Sequence, residues 1–241
     1  MKKAFPIVVV LVALLVGYGF YLGLFVAPTE RTMGDVQRIF YFHAPSGWTA
    51  FWLFFTNLAA SIVYLINKNL KADALAHASA EVGVVFCTIV LVTGPLWARP
   101  VWGIWWTWDM RLTSTLVLWL IYVSYLLLRR FSDSAQTPIL AAVLSIFGAL
   151  DVPLVYFSIW FFRTQHPQPV IGNGGSLDPS MRPAFWMNVL AFSCFGALLC
   201  WARYQIEIMH RQVGEAEARE SLVDNRRGEL NTQPAYRQAA R

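Results

Sequence analysis

The stretch ASAEVGVVFCTIVLVTGPLWARPVWGIWWTWDMRLT, residues 78–113, holds both a membrane-length segment and an unusual aromatic one. Its first half, Ala78 to Trp97, is apolar and long enough to cross about 30 Å of hydrocarbon as a helix. Its second half crowds Trp97, Trp102, Trp105, Trp106 and Trp108 among Arg99, Pro100, Asp109 and Arg111. An indole buries about 150–250 Å² and offers a flat face. The run therefore has two readings. It is an aromatic belt where a spanning segment meets water, or a platform for a large planar apolar ligand. Belts usually place one or two rings at a helix end, whereas these rings share a short segment with a breaker, a glycine and charges of both signs.

The rest of the chain carries more segments of the first kind. Of its 241 residues 57% are hydrophobic and 14% charged, with mean hydropathy +0.48, too few charges to cover a soluble globule. Apolar stretches at Ala4 to Val26, Trp48 to Ile66, Ala78 to Trp97, Ser114 to Leu128, Pro138 to Phe162 and Ala184 to Trp201 predict an all-α integral membrane protein with six transmembrane helices. The fourth is short unless its helix starts inside the tryptophan run. Lys2 and Lys3 precede the first span as in a signal peptide, but its apolar length and the missing small-x-small site read as a retained anchor. Lys68, Lys71, Arg129, Arg130, Arg203 and Arg211 join Lys2 and Lys3 on one side, which the positive-inside bias assigns to the cytoplasm along with both termini. Loops 27–47, 97–113 and 163–183 then face outward. Residues 1–202 form the expected membrane domain and 203–241 a polar cytoplasmic tail, a helical exit followed by disorder. The net charge of +5 follows from this bias and gives no argument for nucleic acid.

Cys87, Cys194 and Cys200 fall inside spans without a C-x-x-C pair, which speaks against thiol exchange, zinc clusters and iron–sulfur ligation. No P-loop, G-x-S-x-G or H-E-x-x-H occurs, and the chain reads as a binding protein rather than an enzyme. Of its four histidines, His43 and His166 fall in the outward loops with the tryptophans. They are solvated loop residues, or axial ligands closing on a haem iron from two faces. Arg38 and Arg111 are the nearest cations, suited to haem propionates or to lipid headgroups. Asp109 is either a partner for an indole or imidazole N–H or the N-cap of the fourth span. If the run is helical, Trp102, Trp105, Trp106 and Asp109 share one face. His77 reads as a local partner of Glu81, and His210 receives no role. Asp151 and Pro153 lie inside the fifth span as a helix contact or kink, or as part of a pathway, while Asn57 and Ser61 are expected to bond between helices.

W-G-I-W-W-T-W-D from Trp102 to Asp109 resembles the WWD signature of the haem-handling proteins of cytochrome c maturation. The six-span length and one histidine in each flanking outer loop are similar to the haem exporter protein C (CcmC) family within it. F-V-A-P near Ala27, R-I-F-Y-F-H at Arg38 to His43, L-V-T-G before the run, R-L-T-S after it, and L-D-P-S-M-R at Leu177 to Arg182 extend the likeness over nearly the whole membrane portion. The resemblance implies non-covalent b-type haem on the WWD segment (Trp102, Trp105, Trp106, Trp108, Asp109), with His43 and His166 as axial ligands. It implies handover to the haem chaperone CcmE, with CcmA, CcmB and CcmD as partners, in a bacterial inner membrane with the site facing the periplasm. G-N-G-G at Gly172 to Gly175 has no counterpart in the pattern. Two rivals remain: a cytochrome b-like electron carrier, which would need histidines in facing spans, and a permease subunit that uses the belt only as an anchor.

Overall fold

The computed structural model describes residues 4–132, 134–166 and 177–239. Among them are six helices long and apolar enough to cross a membrane, so the chain is a multi-pass membrane protein. They are α1 (Phe5–Tyr21), α2 (Phe40–Asn67), α3 (Leu70–Trp102), α4 (Met110–Phe131), α5 (Thr137–Phe161) and α6 (Arg182–Ala239). A π-helical turn (Leu22–Val26) closes α1, and a 3-10 helix (Asp35–Ile39) leads directly into α2.

Helix α1 is apolar on nearly every face and mostly exposed, as a lipid-facing helix should be. A polar bond pins it to α6. The buried Asn188 of α6 donates from Nδ2 to Gly19 O and to its own helix's Ala184 O, both at 2.8 Å. A Cβ on Gly19 would come within 2.9 Å of Asn188 Oδ1, so only glycine permits this approach.

Helices α2 and α3 form a tight antiparallel hairpin. Lys68 adopts a left-handed φ of 55° and Asn69 caps α3, accepting at 2.9 Å from the Lys71 N–H. Ala74, Ala76, Ala78, Ala80 and Gly83 line the buried side of α3, and a Cβ at Gly83 would meet the Phe54 ring at 2.6 Å. Small residues thus let the helices come close where lipid supplies no hydrophobic drive. Phe54 then stacks on Tyr122 of α4 at 3.8 Å, and Asn57 Nδ2 donates to Ala76 O at 2.7 Å while its amide oxygen accepts from Ser145 of α5. Asn57 is the interhelical bond the sequence suggested. Ser61 is not: its hydroxyl is buried with no partner among the described residues.

At the hairpin-turn end, Asp73 is 1% exposed and pairs with Arg129 of α4 and, at 2.8 Å, with Arg211 of α6. Glu207 bonds Arg211 at 2.8 Å and His77 at 3.3 Å, His77 reaches Glu81 at 3.7 Å, and Glu81 pairs with Arg203 at 2.5 Å. The expected His77–Glu81 pair is therefore one link in a network clamping α3, α4 and α6.

Several helix ends differ from the sequence expectation. Helix α2 starts at Phe40, so His43 stands in its first turns rather than in a connector. Pro45 and Gly47 had suggested a loop there, yet Pro45 removes only one helical hydrogen bond. Helix α3 runs through Pro95 and Pro100 to Trp102 and stops at Gly103, whose φ of 78° favours glycine. Helix α4 starts at Met110, just after the tryptophan run, and its 22 residues suffice to span. Helix α6 continues as helix to Ala239.

Replacing Asp73 with Ala should cost about 3–5 kcal/mol, because it strands the largely buried Arg129 guanidinium without its carboxylate. Thermal unfolding in detergent should show a large drop in midpoint; an unchanged midpoint would mean the network is not structural.

Candidate functional site

At the end of the bundle opposite the α2–α3 turn, a cavity of about 230 Å³ opens between α2, α3, α4 and α5. Its walls include His43, Trp48, Trp97, Trp102, Trp106, Arg111 and His166, and it reaches inward to Cys87 and Val155. Most of the lining is apolar, with a few polar groups set among the rings, the usual make-up of a small-molecule site.

Helix α3 holds His43. Thr93 Oγ1 lies 2.8 Å from Nδ1 of the imidazole, and the Trp97 ring meets it edge-on at 5.9 Å. His166 follows α5, and its backbone N–H donates to Thr164 Oγ1 at 3.0 Å. The two imidazole centres are 6.5 Å apart and inclined by 32°. Both of the histidines singled out from sequence therefore meet in the lining of the cavity.

Asp109 joins the parts. Its Oδ1 accepts at 3.0 Å from the Leu112 N–H, capping α4. Its Oδ2 accepts from the Thr107 hydroxyl at 3.0 Å, the Thr164 hydroxyl at 2.9 Å and the Gln165 N–H at 3.3 Å. The N-cap reading holds. In place of an indole or imidazole, the carboxylate takes up the segment that carries His166. Partial burial works against the charge, but these donors outweigh it and hold the Asp109 carboxyl below the ordinary range.

The tryptophans divide. Trp102, the last residue of α3, and Trp106 line the cavity, whereas Trp105 and Trp108 are 56% and 77% exposed. Because residues 104–109 are not helical, the face that a helical run would have formed does not exist. Trp106 and Trp108 instead meet edge to face at 5.9 Å. The indole N–H groups of Trp97 and Trp106 and Nη1 of Arg111 are buried with no acceptor among the described residues. All three residues line the cavity.

Arg38 lies outside that lining. It donates to Gly23 O at 3.1 Å, Ala27 O at 2.9 Å and Thr29 Oγ1 at 3.2 Å, and pairs with Asp35 at 3.0 Å, tying the end of α1 to the start of α2. Asp151, within α5, keeps one carboxyl oxygen buried without a partner among the described residues. Gly172 to Gly175 fall outside the described residues. Thr93 and Thr164 were missed as site residues from sequence; the only hint was their place in L-V-T-G and R-T-Q-H beside the chosen histidines.

The family profile described as Heme exporter protein C matches residues 1–219. The chain belongs to that family. It is 35% identical over 190 residues to Heme exporter protein C of Bradyrhizobium diazoefficiens, covering 78% of this chain and 72% of the relative. It is 33% identical over 218 residues to Heme exporter protein C of Escherichia coli K12, covering 90% and 84%. A putative cytochrome c biosynthesis ccmC-like mitochondrial protein of Marchantia polymorpha is 32% identical over 162 residues, 67% of this chain and 69% of its own length. In this Heme exporter protein C family member, the WWD segment thus leaves α3 at Trp102 as a non-helical link whose carboxylate tethers the histidine-bearing segment after α5.

Asp109→Ala should remove about 1 kcal/mol of capping energy and free the Thr164–His166 segment. Hydrogen exchange at the Leu112 and Gln165 amides should accelerate while α3 is unaffected. Because this carboxyl titrates below its unfolded value of about 3.9, the tether is complete above that pH. It is lost as pH falls through the folded value. Protection of the Gln165 amide, taken relative to its intrinsic exchange rate, that persists unchanged to the lowest pH at which the protein stays folded would contradict it.

Proposed function

We propose that this multi-pass protein takes haem as cargo in the tryptophan-lined cavity and presents it for cytochrome c maturation. The observation that carries the reading is the pair of cavity-lining imidazoles 6.5 Å apart. A metal atom held by one nitrogen of each ring at about 2 Å separates ring centres by about 6 Å. His43 and His166 therefore suit the two axial positions of one iron, which closes it to oxygen chemistry. The buried donors of Trp97, Trp106 and Arg111 lack acceptors among the described residues, and propionate carboxylates supply acceptors. Arg111 takes the propionate role in preference to Arg38, whose donors are engaged elsewhere. Trp102 and Trp106 give the flat porphyrin an aromatic wall; Trp105 and Trp108 remain accessible to a partner or to the lipid boundary.

Family membership supports haem handling, and the same likeness supports the finer assignment. Haem is non-covalent and b-type here, the acceptor is the chaperone CcmE, and CcmA, CcmB and CcmD complete the assembly. The membrane is the bacterial inner membrane with the cavity at its periplasmic face, the arrangement that the Lys and Arg bias also favours. His43 stands on a helix while His166 stands on a connector, so His166 is the ligand that moves when CcmE offers its own group.

His43→Ala and His166→Ala should each lose most of the haem that copurifies and its two-histidine visible spectrum, and should fail to load CcmE. Normal loading by both variants would refute the reading. Trp106→Ala should lower haem retention on the order of tenfold, about 1.4 kcal/mol, and Trp105→Ala much less. Equal effects would return both rings to the role of a membrane belt.

A further inference from the structure

His43 is not held by α3 through packing alone. The Thr93 hydroxyl has one proton, and its Oγ1 lies 2.6 Å from Ile89 O, the carbonyl one turn earlier on the same helix. That bond uses the proton. The contact from the same oxygen to His43 Nδ1, at 2.8 Å, then needs a hydrogen from the ring. A neutral imidazole carries one N–H, so a proton on Nδ1 leaves the Nε2 lone pair bare. One further contact limits the ring: Trp97 abuts the imidazole edge-on, with ring centres 5.9 Å apart.

We infer that Thr93 is a positioning residue that selects the Nδ1–H tautomer of His43, so that Nε2 is the atom offered to the metal of the cargo. The inference rests on the haem reading above and names a residue that reading did not use. It has a chemical consequence for handover. Metal-bound histidines commonly donate their second N–H to a carboxylate, a backbone carbonyl or water, and a carboxylate partner raises the basicity of the ligand. Here the acceptor is a neutral hydroxyl already engaged with Ile89 O. The ring is oriented without being made strongly basic, which suits a bond that must later release its metal. Because the hydroxyl belongs to α3 and the imidazole to α2, the tautomer also depends on the two helices keeping their register.

The test uses the full-length protein labelled with 15N-histidine, in which the chain's four histidines give four rings and His43→Ala identifies the resonances of His43. In haem-free protein, His43 should appear as the Nδ1–H tautomer, and Thr93→Val, which keeps the side-chain shape but removes the acceptor, should turn it into a mixture. Thr93→Ser should restore the single tautomer. Haem titrated into the same proteins should bind about tenfold more weakly to Thr93→Val and normally to Thr93→Ser. An Nε2–H tautomer in the wild type, or one unchanged in Thr93→Val, overturns the inference whatever haem does. The expected tautomers with full haem binding by Thr93→Val but not by His43→Ala overturn the positioning role alone. Full binding by His43→Ala overturns the ligand reading itself.

Discussion

A single carboxylate sets the layout of the cavity mouth. Asp109 ends the tryptophan link, starts α4, and accepts two bonds from the segment that follows α5. Without it, the backbone N–H groups at the head of α4 lose an acceptor and the His166 segment loses its hold on the WWD link. An aspartate suits this position because its two oxygens can serve two directions at once, one along the helix axis and one across to a distant segment. The N-terminus of α4 adds its own preference for negative charge. The site is therefore built on a helix end, where backbone donors are left over and can be turned to use.

A second constraint is the closeness of α2 and α3. In lipid the helices gain little by hiding apolar surface from each other, so contact depends on shape and on a few internal polar bonds. Gly83 against Phe54 and Asn57 against the Ala76 carbonyl supply these. Carried to the other end of the hairpin, the same register sets Thr93 beside His43. Packing in the middle of the bundle and hydrogen bonding at its mouth are thus parts of one alignment.

Much of this architecture was legible from residue order because the bilayer imposes a length on every apolar stretch. The six spans followed from that, and the pairing of His43 with His166 followed from placing their connectors at one end. What hydropathy cannot convey is where a helix stops. Pro45 and Gly47 look like a loop, yet α2, entered directly from the 3-10 helix, runs straight through them. Arg38 looked like a ligand for acids because charge counts ignore backbone carbonyls, and the turn after α1 exposes two of them to its guanidinium. The tie between Asp109 and Thr164 joins residues far apart in sequence and has no local pattern to announce it.

The short Lys68–Asn69 turn has an outcome for biosynthesis. His43, Thr93, Trp97 and Trp102 all lie on the hairpin it joins, so one half of the site is built from neighbours along the chain. The ribosome delivers this half first, and the helices that bring Arg111 and His166 follow. A nascent chain halted after α3 already contains one imidazole with its orienting hydroxyl.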